Sequence, residues 1–247
     1  MRRQVVFSVL FIFFIQSIQS QEVVEESSQE FWPEVDVWWR VSPQWRFSVF
    51  VPISRNIDTE YREGSIVLQS DYSWGKHKGF IMPMRLVEND SNQPVKANML
   101  RGGYLSGMSL DDKGESFSEN TAFAEYHFRI PYKNRILVSH RFRNDYRWLG
   151  SDNNFSARLR YRFMLEKEFI VKKISFVPYC NAEAYYDTRY SEINRYRFIG
   201  GTSVAWSSLY ALEANFTYQR DSYASVENLY AVNVILHIYI KTKKKSK

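Results

Sequence analysis

Between residues 155 and 165 the chain reads FSARLRYRFML, with arginine at every second position: Arg158, Arg160 and Arg162. The interleaved row is Phe155, Ala157, Leu159, Tyr161, Phe163 and Leu165. A helix would spread both sets around its circumference, whereas a strand sends successive side chains to opposite faces. One face then carries guanidiniums and the other rings and aliphatic chains. A soluble sheet would bury the apolar face. If a barrel wall borders lipid, the energetics favour the reverse. An arginine facing lipid at the midplane costs about 2–4 kcal/mol, so a row of them would cancel the stability of a whole domain. Turned into an aqueous interior, the same arginines meet water and carboxylates. The expectation is arginines in, rings out.

The same alternation recurs along the chain. PEVDVWWRV sets Pro33, Val35, Val37, Trp39 and Val41 against Glu34, Asp36, Trp38 and Arg40. WRFSVFVPI, SIVLQSDYSW, TAFAEYHFRI, RILVSHRFRNDYRWL, FVPYCNAEAYYD, RYRFIGGTSVAW, LYALEANFTYQR and NLYAVNVILHIYI repeat it. Between residues 80 and 107, FIMPMRL and VKANMLRGGYLSGM read as two weaker strands, and the paired glycines 102–103 and 200–201 suggest bends or bulges. These segments exceed the roughly 5–6 residues usual in soluble sheets and match the length that crosses a bilayer at a tilt. The predicted fold is all-β: a single up-and-down antiparallel transmembrane β-barrel of about 12 strands, with 10 as the alternative. Trp45, Trp74, Trp148, Tyr186 and Trp206 fall near strand ends, as interfacial girdles require. PYKN and SSL are tight connections, while SLDDKGESFSEN and RDSYASVE are longer and polar. With twelve strands, the short SPQ turn falls on the wrong end.

The first residues, MRRQVVFSVLFIFFIQSIQS, have the basic start, apolar run and small residue of a secretory signal peptide, predicted over 1–20. A periplasmic segment over 21–29, the barrel over 30–240 and a basic tail over 241–247 complete the expected layout. One cysteine, Cys180, excludes an internal disulfide. The leader and tail hold seven of the 33 basic residues, leaving 26 against 27 acidic ones, so a near-neutral body gives no nucleic-acid signal.

The candidate site is the lumen's ionic rows: Arg141, Arg143, Arg147, Arg158, Arg160 and Arg162, with Glu125, His127, Glu183 and Asp187. Asp145 and Glu213 are further inward carboxylates. Such rows form either an ion-pair lattice or a path for anionic solutes. The histidines make no metal-ligand pair, a lone cysteine builds no zinc site, and no catalytic motif or cofactor-binding loop is present.

Three blocks, EFWPEVDVWWRVSPQWRFSVFV, RLRYRFMLEKEF and PYCNAEAYYDTRY with NRYRFIGG, resemble a Gram-negative outer-membrane barrel family known as domain of unknown function 2490. That resemblance implies an exported barrel in outer-membrane lipid, handled by the barrel-insertion machinery, with no assigned activity. Such barrels commonly end on an aromatic residue, whereas LHIYI continues into KTKKKSK, leaving Tyr239–Ile240 as an internal candidate signal. The expected function is envelope structure or binding and transport of a solute whose identity the sequence does not give. A periplasmic lipocalin-like barrel with an apolar ligand and an outer-membrane lipid-modifying enzyme are the alternatives.

Overall fold

The structure, a computed structural model, describes residues 27–75, 95–111, 118–150 and 152–241. The expected leader therefore lies outside the described residues, as does the tail beyond Lys241. Twelve strands fill most of the rest: β1 (Ser27–Arg40), β2 (Trp45–Asn56), β3 (Arg62–Trp74), β4 (Asn98–Ser109), β5 (Ser118–Tyr132), β6 (Ile136–Leu149), β7 (Asn154–Lys167), β8 (Phe169–Val171), β9 (Ile174–Asp187), β10 (Glu192–Ala205), β11 (Tyr210–Asp221) and β12 (Asn228–Lys241). The predicted all-β fold and strand number are met.

Eleven of these strands form a closed wall, each paired with its chain neighbour, and β12 returns to β1. The twelfth, β8, keeps the register of β7 against β9: Glu166 faces Tyr179 and Phe169 faces Phe176. The ladder lapses where that register sets Lys167 opposite Pro178, which has no N–H to donate. Closure differs from a fully antiparallel barrel. An odd number of wall strands makes the first and last run the same way, and β1 pairs β12 in parallel from Ser27 with Asn228 to Arg40 with Lys241.

The odd count also settles the misplaced SPQ turn. β3 pairs β4 directly from Glu63 to Trp74. The segment FIMPMRL, read as an extra strand, lies outside the described residues. With one crossing fewer there, SPQ joins the tight connections 133–135, 172–173 and 206–209 at one end of the barrel. This turn end also holds Lys241. The connections 57–61, 110–117, 150–153, 188–191 and 222–227 mark the opposite, loop end, where β1 begins.

Faces follow the alternation. On β7, Phe155, Leu159, Tyr161, Phe163 and Leu165 are exposed on the outer surface. β1 exposes Phe31, Val35 and Trp39; β3, Ile66 and Leu68; β10, Tyr196 and Phe198; β12, Tyr230, Val232 and Ile240. The inner face is polar above and mixed below. Trp38, Met99, Leu137, Met164, Val177, Ala205, Ala211 and Tyr239 are buried, and all sit in the turn-end part of their strands. Trp38, Ala205, Ala211 and Tyr239 pack as one cluster with Phe50 against it, and Met164, Val177 and Tyr179 as another. The turn end of the lumen is thus filled by packed side chains, these apolar ones together with the buried Arg46, Arg129 and Glu166, and the arginine rows stand above it.

The glycine pairs correct the sequence reading: the ladders run unbroken through both. Gly103 and Gly201 instead make room. A Cβ on Gly103 would lie 2.4 Å from the Phe123 ring, and one on Gly201 2.4 Å from Asn215. The irregularity in β10 falls at Ile193–Arg195.

Candidate functional site: the charged lumen

Strands β5, β6, β7 and β9 are consecutive in the wall, so their inward rows stand side by side. Register sets Arg141 opposite Arg162 and Arg143 opposite Arg160, like charges face to face. Carboxylates on the same and flanking strands resolve that repulsion, since Arg143 also faces Glu125 and Arg162 also faces Glu183. Each acid serves several arginines. Glu183 accepts from Arg141, lies 3.1 Å from Arg160 Nη2, and is 3.9 Å from Arg162 Nε. The Tyr185 hydroxyl donates to Glu183 as well.

Asp145, wholly buried, accepts from Arg143 and from Arg158 Nε at 3.1 Å, with Arg160 at 3.8 Å. Glu125 accepts from Arg143 at 2.8 Å and from Arg101 at 3.3 Å, and Arg141 approaches to 3.6 Å. Arg101 passes the network on to Asp71 at 2.7 Å, and Arg46 Nε reaches the same carboxylate at 2.8 Å. Arg147 bridges Glu119 at 2.9 Å and Asp187 at 3.5 Å. The guanidiniums of Arg143 and Arg160 also lie over the rings of Phe123 and Tyr185, at 3.9 and 4.6 Å. All ten residues singled out from the sequence point inward; eight join one network, while Arg147 and Asp187 form a neighbouring cluster with Glu119 and Arg189. His127 belongs to the network through Glu125, 2.8 Å from its Nε2.

Of a second arc of the wall the sequence reading named only Glu213 as inward. His237 of β12 stands between two carboxylates, with Nδ1 3.1 Å from Asp36 on β1 and Nε2 3.0 Å from Glu213 on β11. A ring carrying both protons donates to both. The Tyr179 hydroxyl donates to Glu213, and Asn215 donates to it at 3.1 Å. The signal was present in principle. His237 interrupts the inward row of a strand whose outward row, Tyr230 to Ile240, is wholly apolar. Barrel closure then carries it to β1, 201 positions away in register.

The remaining space lies between these arcs. One cavity, about 240 Å³, is lined by Arg141, Arg160, Arg162 and Arg197 with Glu183 on one side and by Glu34, Asp36 and Glu213 with His237 on the other. A second, about 190 Å³, lies nearer the loop end, where Glu34, Glu63 and Glu119 line it. Glu34 and Asn233 border both. Among the described residues no group of three or more metal-ligating side chains is assembled.

A family described as a protein of unknown function (DUF2490) matches residues 92–230, more than half of the chain. The chain belongs to this family. In this DUF2490 member the matched span runs from ahead of β4 into β12 and takes in the whole arginine arc, whereas Asp36 and His237 fall outside it. No curated protein and no solved structure matches the chain.

Proposed function

We propose that this DUF2490 protein is exported to the outer membrane, spans it as a β-barrel, and binds a small polar solute in its lumen from the loop end. The observation that carries the membrane reading is the outer wall, where strand after strand exposes large apolar side chains. Water would penalise that surface, and lipid accommodates it. Aromatic contacts gather near the turn end, with Trp39 against Phe47, Trp45 against Tyr72, and Trp206 beside Tyr210, as an interfacial girdle would. The closed wall also pairs each of its eleven strands on both sides, as a hydrocarbon environment demands. A lipocalin-like carrier of an apolar ligand needs the opposite lining, and these lumen rows are ionic.

Binding is favoured over conduction because the turn-end part of the lumen is filled by buried side chains, Trp38, Met99, Leu137 and Met164 together with Arg46, Arg129 and Glu166. The proposed orientation puts tight turns in the periplasm and longer loops outside, the usual division in such barrels. It turns the start of β1 outward, where twelve crossings would leave it periplasmic. On this reading outer-membrane lipid surrounds the wall, and the barrel-insertion machinery delivers it. Tyr239 points into the lumen and Ile240 outward, so Ile240 is the residue of the pair that such machinery would meet on the outer face.

The test is fractionation of cell envelopes washed with alkaline carbonate. The chain should stay in the membrane pellet and leave it only with detergent. Release as a soluble monomer would refute the membrane reading. Planar-bilayer recording of the refolded barrel then separates binding from conduction: the filled floor predicts no steady ion current, and regular conductance steps would overturn the binding reading.

A further inference from the structure

The inner cavity is charge-separated. Its four arginines come from β6, β7 and β10 and outnumber Glu183 of β9 beside them, while Glu34, Asp36 and Glu213 from β1 and β11 outnumber His237 of β12. Five buried polar atoms of lining residues have no hydrogen-bond partner in the protein: Asp36 Oδ1, Asn233 Oδ1, Asn181 Oδ1, Arg141 Nε and Arg160 Nε. Asp36 and Arg141 are only 4% and 7% exposed, so bulk water does not reach them freely. Buried polar groups of this kind are normally satisfied. Both donors, on Arg141 and Arg160, stand on the basic side, and two of the three acceptors, on Asp36 and Asn233, stand on the acidic side, the third being Asn181 of β9.

A simple anion would complete the donors and leave the acidic arc facing it with like charge. A simple cation has the converse fault. One molecule with a cationic donor at one end and an anionic acceptor at the other matches both arcs. The loop-end cavity leads in the same direction, because its Glu34, Glu63 and Glu119 carboxylates face a solute before it reaches any of the four arginines. They would draw in the cationic end first.

We propose that the inner cavity is a binding site for a small zwitterion, an amino-acid-like solute carrying an amine and a carboxylate. The amine sits against Glu34, Asp36 and Glu213. The carboxylate is held by Arg162 and Arg197 together with the free Nε groups of Arg141 and Arg160. No bond is made or broken. The site rests on the barrel reading given above.

Calorimetric titration of the chain refolded in detergent micelles tests this, with folding confirmed by heat-modifiable migration in gels. The probes are 4-aminobutyrate, butyrate and butylamine, which share a carbon chain and differ in charge. 4-Aminobutyrate should bind roughly tenfold more tightly than either singly charged analogue. Glu34→Gln should weaken 4-aminobutyrate by about fivefold and leave butyrate little changed. Arg162→Gln should weaken both carboxylates. Folded barrel that binds butyrate as tightly as 4-aminobutyrate, or binds none of the three, overturns the proposal. If the chain proves soluble without detergent, the membrane reading fails on its own, and the same titration in plain buffer still decides the cavity.

Discussion

Glu183 and Glu227 are both paired with arginine, and they should respond very differently to removal. Glu183 is buried beneath Arg141, Arg160 and Arg162, whereas Glu227 meets Arg220 at the surface, where the two side chains are 40% and 58% exposed. Taking away one partner of a buried cluster strands the others without compensation, which typically costs about 3–5 kcal/mol. An exposed pair contributes about 0–1 kcal/mol. Glu183→Ala should therefore lower the urea midpoint of the refolded barrel by most of that larger figure, and Glu227→Ala should scarcely move it. Equal effects would mean that the lumen network is not the stabilising feature described. At this scale the sequence was highly legible for the arginine arc. Arg158, Arg160 and Arg162 share a row with no apolar residue between them, so alternation alone assigns their face. His237 was not legible as the link between two carboxylates, because Glu213 comes from the hairpin neighbour β11 but Asp36 reaches it only through closure of the barrel.

Among elements, the β1–β12 seam is the least ordinary. Antiparallel neighbours come from local hairpins, and the sequence signals them through alternation and turn residues. A parallel closing pair depends on the parity of the whole wall, which no local pattern reports. That is why a weak segment at 80–86 was enough to shift the expected count and leave the SPQ turn on the wrong end. Parallel pairing makes a sharp prediction. Val35 faces Leu236 and Phe31 faces Val232, with the same offset for both pairs. With Cys180 replaced by serine, cysteines placed at 35 and 236 should cross-link on mild oxidation, and so should cysteines at 31 and 232. An antiparallel seam would allow at most one of those two pairs.

For the whole molecule, four tight connections mark one end of the barrel, which also holds the long 75–97 connection, and the sidedness of the two ends can be read directly. A cysteine replacing Ser225, in the loop 222–227, should react with a membrane-impermeant maleimide on intact cells. One replacing Ser208, in the turn 206–209, should react only after the outer membrane is opened. The reverse pattern would invert the barrel and move the cavity's entrance to the periplasm.

The central claim is that the outer wall of β7 touches lipid while its arginines face an enclosed polar interior. Spin labels placed one at a time from residue 157 to residue 163, in protein refolded into lipid vesicles, test it most directly. Labels at 157, 159, 161 and 163 should collide with dissolved oxygen and be shielded from a water-soluble nickel complex, with the opposite preference at 158, 160 and 162. Free access of the nickel complex to the odd-numbered positions would contradict the account.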